Sequence, residues 1–250
     1  MLAEAAFVSG NIISEGLAEF SALMLLHHEK GDAQAATLRR RWEKQYVDGR
    51  STDNERSINR IDGSRDGDSV VTYQRAGWAF WMLRNVMGEE AMLAGMKEFV
   101  TKWRDGVIMQ DGLDFPLIED LIESLRPHAT DTAAFNAFVN QWIFGTVLPE
   151  FEVREASVTG SESAYETTAS LVNIGSGEVD VRVRIEGVTE EVDGKKTPPL
   201  FEDIVLRIKP NDPTSFKVKS PFKPVRIVVD PEIELLFAGR KRSEKSLSAP

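Results

Sequence analysis

The spacing of apolar residues changes character near Pro149. Upstream they recur every three or four positions, the period of a helix with one buried side; downstream they alternate with polar residues, the period of a strand with one buried face. The upstream part reads as five or six helices: roughly 12–30, then "AQAATLRRRWEKQY" (33–46), "TYQRAGWAFWMLRNVMG" (72–88), "EEAMLAGMKEFVTKWRDG" (89–106), "FPLIEDLIESLRP" (115–127) and "TAAFNAFVNQWIFG" (132–145). Gly31, directly after "HHEK", suits the position that ends a helix. Between the second and third helices runs "VDGRSTDNERSINRIDGSRDGDS" (47–69). It is polar and rich in Gly, Ser and Asp, and is expected to be a long mobile loop, a kind that is either functional or disordered.

Downstream, "EVDVRVRIEG" alternates strictly, with Val179, Val181, Val183 and Ile185 on one face and charged residues on the other. Further strands are predicted at "PEFEVREASVTG", "FEDIVLRI", "TSFKVKS", "VRIVVDP" and "IELLFAG", with "NIGSGE" and "EVDGKKTPP" as hairpin connections. This pattern predicts a small antiparallel β-sandwich. The fold class is therefore multi-domain α + β: a helical part over 1–148, a β-sandwich over 149–240 and a polar tail over 241–250 that is expected to fray.

Two helices contain residues that a buried surface does not need. In "IISEGLAEFSALMLL" (12–26), Leu17, Phe20, Leu23, Met24, Leu25 and Leu26 point in almost every direction, which predicts a buried helix. Yet Glu15 and Glu19 sit together one turn apart. A buried carboxylate is costly unless it is paired or bound to a metal. In "VTYQRAGWAFWMLRNVMGEEA", Ala76, Ala79, Phe80, Leu83 and Met87 form the apolar stripe, with Tyr73 at its border. Gly77 predicts the close approach of another element, since glycine inside a helix otherwise costs about 1 kcal/mol relative to alanine. On these grounds alone Tyr73 is a tyrosine at the edge of the core.

Composition narrows the chemistry. A formal charge of −10 argues against nonspecific binding to nucleic acid, and the Arg run in "LRRRWEK" reads as a solvated face. The absence of cysteine excludes disulfides and thiolate metal sites. No apolar run approaches the roughly 20 residues of a spanning helix, and "MLAEAAFVSGNIISEG" lacks the basic start of a signal peptide. The chain is thus expected to be soluble and not to insert into a membrane by itself; its compartment is left open. The histidines are His27, His28 and His128. "HHEKGD" does not make the H-E-x-x-H of a zinc protease, because Asp32 stands where the second imidazole is needed. His27 and His28 read as helix C-terminal residues favoured by the dipole, and His128 as a surface loop residue. There is no phosphate-binding glycine loop and no G-x-S-x-G elbow.

Taken together, "SEGLAEFSALM" and, 58 residues after Glu15, the tyrosine of "YQRAGWAFWMLRNVMGEE" resemble the catalytic domain of the family M1 zinc aminopeptidases, the gluzincin metallopeptidases. The closest resemblance is to M1-like domains attached to bacterial transporter permeases. In that family a glutamate of an N-E-G-like motif is the third zinc ligand after H-E-x-x-H, and a later Y-x-K-G-like motif supplies a tyrosine. The resemblance implies that Glu15 is the zinc ligand and Tyr73 the catalytic tyrosine that hydrogen-bonds the tetrahedral oxyanion. Arg75-Ala76-Gly77 places one extra residue before the glycine, so the tyrosine motif is loosely kept. Glu19 would either orient a metal ligand from behind or pair with an arginine. Catalytic zinc takes two imidazoles and one carboxylate here, with water in the open position.

The H-E-x-x-H segment and the element that binds the substrate's free amine are not in this sequence. The chain is therefore expected to be part of a zinc metallo-aminopeptidase that removes N-terminal residues from peptides. It is expected to be inactive and metal-free alone, and to need the missing half, which lies upstream of Met1 or in a partner chain. The parent would be a membrane-tethered bacterial protein, and the exposed apolar face left for the missing half would promote self-association. The alternative reading is a non-catalytic protein-interaction module on a peptidase-derived scaffold.

Overall fold

The computed structural model describes residues 12–104, 107–109, 112–162, 164–189, 191–192 and 195–247. It is α + β, with helices followed by antiparallel sheets, and divides into two compact units, 1–146 and 147–250. Residues 1–11 and 248–250, at the ends of the two predicted domains, lie outside the described residues, as do 105–106 at the end of the "KWRDG" helix.

In the helical unit a π-helical turn (Ile12–Gly16) leads into α1 (Leu17–Lys30), followed by α2 (Asp32–Gly49). A short helical turn, α3 (Asp68–Val70), and a second π-helical turn (Val71–Arg75) lead into α4 (Ala76–Met87). Then come α5 (Glu89–Trp103), a short hairpin of β1 (Val107–Met109) and β2 (Gly112–Asp114), α6 (Ile118–Leu125) and α7 (Thr132–Trp142). The helix apolar on all sides is α4, where every residue from Ala76 to Leu83 is buried. It packs against α1, α5 and α7, which explains why three aromatic side chains within four residues, Trp78, Phe80 and Trp81, all find cover. The expectation of all-round burial fails for α1. Its Phe20, Leu23 and Met24 are buried, but Leu25 is 63% exposed, because only one side of α1 meets α4 and α2.

The 47–69 segment is irregular over most of its length, as its composition predicts, but it is anchored to the unit. Helix α2 takes its first residues, and Ile58 and Ile61 are buried in the unit. Arg56 binds the carboxylates of Asp62 and Asp68, which tie the Gly-rich turn back onto the start of α3. Those hydrogen bonds, from Arg56 first and Ser64 next, hold the Asp62 carboxyl well below the usual carboxylate range. Polar composition alone does not reveal that these charges pair with one another.

In the second unit, β3 (Phe151–Ser161), β4 (Ala164–Asn173) and β9 (Thr214–Ser220) form one antiparallel sheet in the order β3-β4-β9. The other sheet has the order β11-β10-β5-β8, from β5 (Val179–Glu186), β8 (Phe201–Ile208), β10 (Arg226–Val229) and β11 (Glu244–Ser246). A small hairpin pairs β6 (Glu191–Val192) with β7 (Lys195–Lys196). The alternation of β5 appears as read, with Val179, Val181, Val183 and Ile185 all buried. Four details differ. "NIGSGE" is not a hairpin turn: it carries the chain from β4 in one sheet to β5 in the other. Strand β4 carried no alternating signal, because its second half is buried on both faces. "IELLFAG" is not a strand: the Asp230 carboxylate accepts from the backbone of Glu234 and Leu235, and curls the segment so that Ile233, Leu236 and Phe237 are buried. The polar tail is not frayed over 240–246, where a 3-10 turn precedes β11 and β11 pairs with β10 through its backbone.

Among the described residues no helix is long and apolar enough to cross a membrane. The tight packing of α1 on α4 depends on Gly16, where an added Cβ would stand 2.8 Å from the Ala76 Cβ. Alanine in an open helix is worth about 1 kcal/mol over glycine. Gly16→Ala is instead expected to destabilise the protein by about 1–3 kcal/mol, read as a fall in the urea midpoint; a rise would contradict this packing.

Candidate functional site

The two π-helical turns lie against each other. A π turn closes its hydrogen bonds one residue further along than an α turn, and the Ala76 N–H reaches the Val71 carbonyl in this way. Small residues let the two segments meet. Beyond the Gly16 contact, a Cβ on Gly77 would stand 2.9 Å from the Glu19 Cβ, so the close approach predicted at Gly77 is that of α1.

At this junction Glu15 and Tyr73 come together, near enough for the Glu15 carboxylate to act on the Tyr73 phenol. The negative charge of Glu15 is the first cause holding the phenol above its ordinary pKa, followed by desolvation, the pull of the Glu15 carboxylate on the phenol proton and the charge of Glu19. Glu19 faces the same junction. Its carboxyl is pushed up, first by burial and then by the charge of Glu15, with Arg41 opposing. Both carboxylates are half-buried rather than buried, and Tyr73 is 37% exposed, so the site opens to solvent. The arrangement offers a neutral phenol O–H donor next to two carboxylates that repel each other. Such a place favours a cation or the neutralisation of one carboxyl.

The donor set does not complete a zinc site. Among the described residues no group of three His, Cys, Asp or Glu could hold a metal ion. His27 and His28 follow Glu15 by 12 and 13 residues, which at about 1.5 Å per residue puts them roughly 18 Å along the helix. There His27 stands 2.9 Å from Asp32 and His28 2.9 Å from Glu89. His128 lies in a short 3-10 turn and not a loop, 2.9 Å from Glu98.

The sequence reading passed over the residue that fixes this junction. Arg75, two positions after Tyr73, is wholly buried. Its guanidinium donates to the Tyr46 hydroxyl at 2.7 Å, to Glu55 at 3.3 Å and to the carbonyls of Trp142 and Gly145 at 3.4 and 3.1 Å. Tyr46 in turn donates to Glu55 at 2.6 Å, and Glu55 also binds Arg50. One cation thereby links α2, the 50–57 segment and the C-terminal end of α7 to the π turn that carries Tyr73. The signal was present: Arg75 lies on the same helical face as Ala79 and Leu83, where a charge needs buried partners.

Two predictions follow from this network. Replacing Arg75 with Met should cost roughly 3–5 kcal/mol, because Glu55 and the end carbonyls of α7 lose a buried partner; a loss under ~1 kcal/mol in chemical denaturation would contradict it. Burial pushes the Tyr46 phenol up to about 12. An unfolded tyrosine releases its proton near pH 10, so above that pH the unfolded chain binds fewer protons than the folded one. The contribution is full below pH 10 and is lost as pH rises through about 12, roughly 2–3 kcal/mol in all. Urea unfolding between pH 9 and ~11.5 should show this decline, and Tyr46→Phe should flatten it.

No family model matches the chain, and no curated protein matches its sequence. Among solved structures it is similar to the CARDB domain of a Pyrococcus furiosus protein in complex with di-metal ions, at 15% identity and TM-score 0.28, over 40% of this chain and 90% of that one. It is similar also to β-glucosidase 3B of Thermotoga neapolitana in complex with glycerol (12% identity, TM-score 0.26, 41% of this chain). A β-glucosidase of Listeria innocua in complex with glucose matches at 14% identity and TM-score 0.24 over 42% of this chain. The chain spans only 16% and 17% of the length of these two β-glucosidases. Likeness of this degree carries no implication for activity.

Proposed function

We propose that this chain contributes the glutamate and tyrosine of a gluzincin-type zinc aminopeptidase site to a larger enzyme that removes N-terminal residues from peptides. The observation that supports this reading is the contact of the two π-helical turns, which brings Tyr73 near Glu15, 58 residues before it in sequence. The resemblance to family M1 pairs the same two residues on sequence alone. The extra residue before Gly77, which departs from the family's tyrosine motif, falls where the π turn takes up one residue more than an α turn.

On this reading Glu15 is one carboxylate ligand, and both imidazoles come from outside this sequence, which holds no H-E-x-x-H. Zinc, when bound in the complete enzyme, would supply Lewis-acid chemistry. The chain's own part is narrower. Tyr73 is protonated at neutral pH, as any tyrosine is, and the charge of Glu15 moves its ionisation further from neutrality, so it keeps an O–H to donate to an oxyanion. Glu19 adds negative charge beside Glu15, which favours a cationic occupant of the junction. The same reading makes the parent a membrane-tethered bacterial protein, a proposal that rests on the resemblance to permease-linked domains.

Hydrolysis of amino-acid p-nitroanilides tests the proposal in the polypeptide or complex where this chain occurs with an H-E-x-x-H segment. Tyr73→Phe should lower kcat by roughly 10²–10³ with KM little changed, while zinc content is retained. Glu15→Gln should lose zinc and activity together. This chain purified alone should not hydrolyse these substrates. Full activity in both variants would overturn the assignment and favour the non-catalytic interaction module.

A further inference from the structure

The outer strands of the two sheets of the β unit are β3, β9, β11 and β8. An outer strand exposes unpaired backbone groups to other chains, and proteins discourage such pairing with bulges, lysines or shortness. Among the described residues, three of these strands carry such a device. Strand β3 is bulged between Arg154 and Ser157, with Glu155 at φ 51°. The exposed side of β9 presents Lys217 and Lys219. Strand β11 is only three residues long and has Lys245 at its centre.

Strand β8 has none of these. It runs for eight residues without Lys, Pro or Gly and keeps an unbroken register with β5, from Phe201↔Glu186 to Ile208↔Val179. Its outward side alternates apolar and charged residues, Phe201 (48% accessible) and Val205 (59%) with Asp203 and Arg207, and Asp203 binds Arg184 at 2.8 Å and Arg182 at 3.3 Å within its own sheet. This is the kind of edge that accepts a further strand.

We propose that β8 pairs antiparallel with β8 of a second copy of this chain, about a twofold axis through Val205. In an antiparallel pair, residues directly opposite share a face. With Val205 opposite its own copy, Asp203 stands opposite Arg207 and Phe201 opposite Lys209, and symmetry provides each pair twice. On the inward face Ile204 meets Leu206, which continues the apolar lining that Leu206 and Ile208 already give the core. Moving the axis to Ile204 or Leu206 sets Val205 against Asp203 or Arg207, so charge and apolarity both select the Val205 register. Arg207 can reach across because its side chain is 55% exposed, although it binds Glu178 at 2.9 Å and Asp180 at 3.0 Å within its own sheet. A single strand pair buries less than the roughly 800 Å² per partner of a standard stable interface. The dimer is accordingly weak, with a dissociation constant in the micromolar range or above. This inference rests on the β unit alone and is independent of the peptidase reading.

The chain contains no cysteine, which permits a direct test. Opposed residues of an antiparallel pair have Cα atoms about 4.5–5.5 Å apart, a separation a disulfide can span. Sedimentation equilibrium of the intact chain should show a monomer–dimer equilibrium that Val205→Lys weakens at least ~10-fold. Under mild oxidation Val205→Cys should form a covalent dimer at least ~10-fold faster than Lys219→Cys on β9. Both positions are exposed, so circular dichroism should show each variant folded. A wild-type chain that stays monomeric at hundreds of micromolar would overturn the proposal. So would a dimer untouched by Val205→Lys whose Val205→Cys form oxidises no faster than the β9 control.

Discussion

The buried guanidinium of Arg75 is the interaction on which the helical unit depends. A charge removed from water must be matched by partners at close range, and Arg75 draws its partners from three places distant in sequence. The Tyr46 hydroxyl comes from α2, Glu55 from the segment after it, and the carbonyls of Trp142 and Gly145 from the end of α7. Those carbonyls are the orphan acceptors of a helix C-terminus, where a cation is favoured electrostatically as well as by hydrogen bonding. The rings of Tyr46 and Trp142 also lie within 5.6 and 5.7 Å of the guanidinium, so the charge is enclosed by π faces where it is not hydrogen-bonded. The segment 50–61 is held by the same constraint, since Glu55 can reach Arg75 only if the chain lies flat on the unit.

Fixing Arg75 fixes what stands two residues before it. The π turn Val71–Arg75 cannot rotate without withdrawing the guanidinium from its partners, so the outward direction of Tyr73 follows from the burial of Arg75. The facing turn, Ile12–Gly16, is set by glycine contacts: Gly16 against Ala76 and Gly77 against Glu19 leave no room for slippage between α1 and α4. The meeting of Glu15 with Tyr73 is the geometric outcome of one buried charge and two missing side chains. The packing behind the junction is tight, and the junction in front is open and polar.

Periodicity made the helices, β5 and the division near residue 147 legible, because each depends on one buried face. It failed where burial was two-sided or where polar groups satisfied one another. Strand β4 lacks alternation because both of its faces are covered towards Asn173. The 230–239 segment looked like a strand because Ile233, Leu236 and Phe237 are apolar, but the Asp230 carboxylate captures the backbone that a strand would need. At the site, Glu15 and Tyr73 were legible only as a pair of residue types at a separation known from a family. Glu15 was read as buried because α1 was read as surrounded, and Leu25 shows that it is not. Arg75 went unrecognised because a charge in an apolar stripe reveals that partners exist without revealing which, and its partners lie 20 to 70 residues away.

The proposed site depends on the approach of Tyr73 to Glu15. Tyrosine labelled with carbon-13 at Cζ reports the ionisation of each phenol, and Tyr73→Phe identifies its resonance among those of Tyr46 and Tyr165. Titration by NMR should place the Tyr73 phenol above the ordinary tyrosine value, and Glu15→Gln should bring it down, since the charge of Glu15 is the first cause of the elevation. A Tyr73 that ionises at the ordinary value and does not respond to Glu15→Gln would mean that the two turns do not bring these residues together.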